Sequence, residues 1–311
     1  MGKTWLVRNL AKTCKKKLIE LNFEKQPEFR SLFESNDVSR ILREIESRVD
    51  QDIIPSQSIL FLDEIQVAPE LLAKLRWFAE DLPELAVVSA GSLLDFALDK
   101  HEFSMPVGRV TYLYVEPLSF EEFLLASKKN KLVDYLNDFN WESTISQSMH
   151  QHLTELFHEY VIVGGMPAAV FSWIDGQSLE KVARIHTDLL ASYRDDFAKY
   201  SGKIATSLLD DTLTSVPNML GQKFILTKVN SNIQTPAIKN ALSLINKARV
   251  ADIIYATAAN GIPLSAEVNR KFFKVNFLDV GLCSSMLGLK LNQLTSINDI
   301  KIGRASCRER V

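Results

Sequence analysis

Short apolar runs alternate with stretches of helical periodicity through the first third of the chain. Residues 18–23 (LIELNF), 59–62 (ILFL) and 85–90 (LAVVSA) read as strands. Leu6, Val7, Leu10 and Ala11 recur at helical spacing, and so do Val38, Ile41, Leu42 and Ile45 in an amphipathic helix over 37–49. A further helix starts near Pro69, a favoured first-turn position for proline, and runs through Leu72, Leu75 and Phe78. Apolar strands alternating with helices predict an α/β fold, a parallel sheet covered on both faces. Residues 110–115 (VTYLYV) are expected to add one more strand.

From residue 119 the pattern turns mainly helical. Ser119 and Glu122 form a capping box ahead of FEEFLLA. Helices are expected through residue 220, broken at Gly164-Gly165-Met166-Pro167, which reads as a tight backbone turn. Thr235 is expected to cap a helix from Pro236 that buries Ile238, Leu242 and Ile245. Strands over 250–257 and 272–278 follow, with turn chemistry at Asn260-Gly261-Ile262-Pro263 between them. A helix followed by a β-ribbon is the plan of a winged helix. The expected division is an α/β domain over 1–118, a helical region over 119–220, a winged-helix-like domain over 221–287 and a tail over 288–300.

The chemistry sits at two points. Gly2-Lys3-Thr4 opens a helix and matches the last three positions of G-x-x-x-x-G-K-[ST], in which backbone amides cradle phosphates. Lys3 is then expected to reach the β- and γ-phosphates, and the Thr4 hydroxyl to bind Mg²⁺. The strand SILFLDEIQ ends on Asp63 and Glu64, where ligands bind in open α/β sheets. Asp63 would hold the hydrated metal, and Glu64 would act as general base toward the attacking water. An ordinary helix start and an acidic first turn are the structural alternatives; the pairing of the two motifs, one strand–helix unit apart, favours ATP and Mg²⁺. Ser92, after the next strand, is a candidate to sense the γ-phosphate or to cap a helix. Arg109 is a candidate for stabilising transition-state charge, in this subunit or across an interface, or for a structural ion pair.

In order along the chain, GKTWLVRNLAK, SILFLDEIQ, AGSLL, PVGRV, EPLSFEEFL, GGMPAAV and KVNFLDVGL resemble prokaryotic AAA-family P-loop ATP-binding proteins with an uncharacterised C-terminal domain. These are related to archaeal and STAND-like ATPases. The resemblance spans residues 2–289. It implies phosphate and metal roles for Gly2, Lys3 and Thr4, and metal and water roles for Asp63 and Glu64. The family's first strand and the front of its phosphate loop are missing, so the chain is expected to be an N-terminally truncated fragment and a weak ATPase. The restriction-endonuclease-like region that often closes such chains is also missing, which removes any basis for expecting nuclease activity.

A net charge of −2 excludes a strongly basic polyanion binder. It favours protein contacts over DNA for the face carrying Lys239, Asn240, Lys247, Arg249, Arg270, Lys271 and Lys274. Cys14, Cys283 and Cys307 are too scattered for a disulfide framework or a metal site. His150, His152 and His158 lack zinc-helix spacing. No apolar run approaches membrane-span length and no signal peptide is recognisable, so a cytoplasmic location is expected. Residues 302–311, IGRASCRERV, can be encoded by an adapter used in short-read sequencing, so 301–311 read as an artefact. An ATP-hydrolysing switch is the expected function. The alternative is a non-enzymatic DNA-binding or protein-interaction module with a structural nucleotide site. Neither the partner nor the oligomeric state is fixed by the sequence.

Overall fold

The structure, a computed structural model, describes residues 2–92, 108–140, 142–200 and 204–288. The tail after Gly288, the adapter-like segment, Cys307 and parts of AGSLL and PVGRV lie outside the described residues. The chain forms two compact units, residues 2–115 and residues from 116 onward.

In the first unit, three parallel strands lie in the order β1 (Lys17–Asn22), β2 (Ser58–Asp63), β3 (Ala86–Ala90). Every residue of β2 is buried, which is why that strand is apolar without alternation. Helix α1 (Lys3–Thr13) sets Val7 against Phe61, Val88 and Leu18 on one face. On the other face, Ile19, Leu21, Leu60 and Leu62 meet α2 (Val38–Val49) and α3 (Leu75–Asp81) through Ile41, Ile45, Leu75 and Phe78. Asp37 caps α2, its carboxylate accepting the Ser39 and Arg40 amides. Two expectations need correction. The helix from Pro69 begins as a 3₁₀ segment, Pro69–Lys74, and becomes α-helical only at Leu75. Residues 110–115 form no strand: among the described residues they pair with none of β1, β2 and β3.

The second unit runs through α4 (Phe120–Ala126), α5 (Asn130–Asn137), α6 (Gln147–Val163), α7 (Pro167–Gly176), α8 (Leu179–Tyr200), α9 (Thr206–Asn218) and α10 (Thr235–Lys247). An antiparallel ribbon follows, β4 (Ala251–Thr257) with β5 (Val268–Phe277), and then α11 (Val280–Met286). The Ser119 capping box is present. At α10 the N-cap is Gln234, with no side-chain cap bond, so Thr235 is already inside the helix. One core joins Leu209, Leu213 and Val216 of α9 to Ile238, Leu242 and Ile245 of α10 and to Phe273 and Val275 of β5.

GGMPAAV and KVNFLDVGL, far apart in sequence, meet here. The Asp279 carboxylate caps α11 through the Leu282 amide at 2.9 Å and accepts the Gly165 amide at 2.6 Å. Gly165 in turn pairs through its carbonyl with the Leu118 amide at 2.8 Å. His186 is fully buried beside this junction and its Nε2 lies 3.0 Å from the Val163 carbonyl. Since that carbonyl only accepts, Nε2 carries the proton and Nδ1 is left without a partner. Burial holds His186 below its ordinary pKa, against the Val163 bond and the Asp279 charge. Burial raises Asp279, and the amides of Gly165 and Leu282 oppose that rise.

Candidate functional site

Helix α1 runs back along the sheet, so its N-terminus lies at the carboxyl ends of the strands. Gly2 precedes it in the left-handed region, φ 73°, which a residue with a side chain rarely adopts. The first-turn amides of Lys3, Thr4 and Trp5 have no intrahelical acceptor, and the helix dipole adds positive potential there. An anion is therefore favoured at this point.

Three strand ends converge on it. Asp63, the last residue of β2, is buried, and its register partner on β1 is Asn22. The Thr4 hydroxyl lies 3.2 and 3.3 Å from the two Asp63 carboxylate oxygens, and Asn22 Nδ2 donates to one of them at 3.1 Å. The Lys3 ammonium donates to the carbonyl of Gly91, just past β3, at 2.7 Å. Burial pushes Asp63 above the usual carboxylate range and Glu64 adds to that, against the bonds from Thr4 and Asn22. Burial also lowers Lys3, while Glu64 and Asp63 pull it back up. A hydroxyl beside a carboxylate that is costly to leave charged suits a hard cation such as Mg²⁺, which takes oxygen ligands.

Glu64 has φ 56° and ψ 41°, a left-handed conformation uncommon outside glycine and costing on the order of 1 kcal/mol. That turn takes the chain off the strand immediately after Asp63. Gln66 Nε2 donates to Glu64 Oε2 at 2.6 Å, while Gln66 Oε1 is buried without a partner. A Cβ at position 91 would meet that oxygen at 2.4 Å, so a side chain there would push the Gln66 amide aside, next to the carbonyl that Lys3 uses.

Thr4 and Asp63 are thus in direct contact, with Lys3 and Glu64 adjoining them in the chain and Lys3 bound to Gly91. Ser92 is exposed just beyond β3. Arg109 is elsewhere, 3.3 Å from Glu80 near the end of α3. Asn22 and Gln66 were not anticipated. Asn22 could have been found as the polar residue ending an apolar strand; Gln66 depends on the left-handed turn at Glu64 and has no sequence signal. A cleft of about 680 Å³, lined by Glu28, Arg30, Glu34, Glu70 and Lys74 among others, shares no residue with this site.

Residues 1–124 match a family described as AAA domain. The N-terminal part is therefore an AAA domain, a P-loop NTPase fold whose members typically bind ATP with Mg²⁺. Residues 154–293 match a family described as a domain of unknown function, DUF8612. A comparison with curated proteins gives no match. No helix among the described residues is long and apolar enough to cross a membrane.

Proposed function

We propose that the first unit binds Mg²⁺-ATP at the carboxyl end of β2 and hydrolyses it, acting as a cytoplasmic nucleotide-dependent switch. The observation that carries this is the contact of Thr4 with both oxygens of Asp63, next to an ammonium at the mouth of a helix N-terminus. In this reading the Gly2, Lys3 and Thr4 amides hold phosphate oxygens, and Lys3 leaves the Gly91 carbonyl for the β- and γ-phosphates. Thr4 and Asp63 hold the metal, which neutralises phosphate charge when bound. Glu64, steadied by Gln66, accepts the proton of the water that attacks the γ-phosphorus, with ADP as the leaving group. In the same reading Ser92 orients that water or contacts the γ-phosphate. Arg109, engaged with Glu80, enters only if a second copy presents it across an interface.

Each charge-assisted bond to phosphate contributes about 1.5–3 kcal/mol. Lys3→Ala should therefore weaken Mg²⁺-ATP binding at least about tenfold, measured by titration against nucleotide. Equal affinity for wild type and Lys3→Ala would remove Lys3 from the phosphate role.

A further inference from the structure

We infer that the α10 helix and the β4–β5 ribbon form a docking surface for the backbone of double-stranded nucleic acid. The whole-chain charge hides a strong local asymmetry. Residues 221–277 contain eight basic residues and two acidic ones, within a chain of net charge −2. The two acids are spoken for or set apart. Glu267 accepts the Asn260 amide and side chain, and Asp252 sits opposite Asn276 at the base of the ribbon.

The cations are displayed. Helix α10 turns Ile238, Ala241, Leu242 and Ile245 into the core, and its exposed positions are Thr235, Pro236, Lys239, Asn240, Ser243 and Lys247, with no acid among them. Asn246 Oδ1 accepts the Ile253 amide at 3.0 Å, which ties this helix to β4. On the ribbon the register slips: Tyr255 pairs with Phe273, but the next residue, Ala256, pairs with Asn269. Arg270, Lys271 and Phe272 therefore stand opposite no residue of β4 and bulge outward, all exposed. Bulges of this kind re-aim side chains away from the ladder. Lys239, Arg270, Lys271 and Lys274 form no ion pair among the described residues. An exposed set of cations on a helix face and a projecting ribbon, four of them outside any ion pair among the described residues, fits a polyanion with regularly spaced charges.

The form of that polyanion follows from the aromatic residue. Single strands are held by bases stacked on open rings. Phe272, the aromatic of the bulge, is 48% exposed but has the Lys223 ammonium 3.7 Å from its ring centroid, so one face of the ring already carries a cation. A base would have to share that ring with the ammonium, which favours duplex phosphates over stacked bases. A helix of 13 residues, about 20 Å long, is also of a size to enter a major groove. Asn240 is then the exposed side chain suited to a base edge.

The test is fluorescence anisotropy with a labelled 24-base-pair duplex of mixed sequence, titrated with the full chain from 50 to 200 mM salt. Binding should appear at 50 mM and fall steeply, with a log–log slope of roughly −3 to −4 for about four neutralised phosphates. The double variant Arg270→Ala/Lys271→Ala should lower the slope by about two and weaken binding at least about tenfold at 50 mM. Both positions are exposed, so its thermal unfolding should match wild type. Lys3→Ala should bind duplex as wild type does, which separates this surface from the nucleotide site. Absence of binding at 50 mM would overturn the inference and leave a protein-docking face. Tighter binding of the matching single strand, or isotherms unaffected by the double variant, would overturn it equally.

Discussion

Replacing Glu64 with Gln should lower ATP turnover by about a hundredfold to ten-thousandfold, the usual range for losing a general base, and leave Mg²⁺-ATP affinity unchanged. The substitution keeps the shape of the side chain, and its amide oxygen can still accept the Gln66 Nε2 bond now made at 2.6 Å. It removes only the capacity to take a proton. Asp63, Thr4 and Lys3 are not touched, so binding groups and chemical group are separated by a single atom. Turnover by steady-state phosphate release, measured at saturating nucleotide alongside a binding titration, distinguishes the outcomes. Undiminished turnover would exclude Glu64 as the base; lost affinity would mean that its charge serves binding instead.

In the second unit the largest effect should come from Gly165→Ala. A Cβ there would lie 2.1 Å from the Leu118 carbonyl oxygen and 2.7 Å from the Leu118 nitrogen, both backbone atoms that cannot swing aside. The strands of backbone must part, and the Leu118–Gly165 bond and the Gly165–Asp279 bond go with them. Asp279 would then be a buried carboxyl with a lost donor beside the already unsatisfied His186 Nδ1. A cost of about 3–5 kcal/mol is expected, from two buried hydrogen bonds and the backbone shift. Gly176→Ala is the internal control. It ends α7, an added Cβ there meets nothing within 4 Å, and it should be neutral or stabilising by up to about 1 kcal/mol. Denaturant unfolding of the two variants reads the difference. A Gly165→Ala protein within about 1 kcal/mol of wild type would mean that the junction tolerates separation.

What was legible in the sequence was what local physics decides. The uninterrupted apolar run of β2 required burial on both faces, and it placed Asp63 and Glu64 at a strand's carboxyl end before any coordinates. Ser119 with Glu122 announced a helix start through two reciprocal bonds over four residues. The failures share a different cause. VTYLYV has strand-like composition, but a strand exists only where it pairs, and among the described residues it pairs with none of β1, β2 and β3. Asp279 and Gly165 are 114 residues apart, and nothing local shows that an acid in one motif satisfies an amide in the other. Gln66 acquired its place from the left-handed turn at Glu64, a conformation that sequence pattern does not reveal in a non-glycine residue. The net charge, an average over the chain, does not show the register slip that leaves Arg270, Lys271 and Phe272 unpaired in the ribbon.

The central claim, a metal–nucleotide site made by Thr4 and Asp63 at the mouth of α1, is tested most directly by paramagnetic relaxation. Mn²⁺ would replace Mg²⁺ in a titration of isotopically labelled protein with ATP, and amide signals would be followed by NMR. Broadening by Mn²⁺ falls off steeply with distance, so it locates the metal even when affinity is weak. The amides of Lys3, Thr4, Asn22, Asp63 and Gly91 should be lost first, only when ATP is present, and should be spared in Lys3→Ala at the same concentrations. Broadening centred instead on the cleft with Glu28, Glu34 and Glu70, or no selective broadening with ATP, would contradict the account.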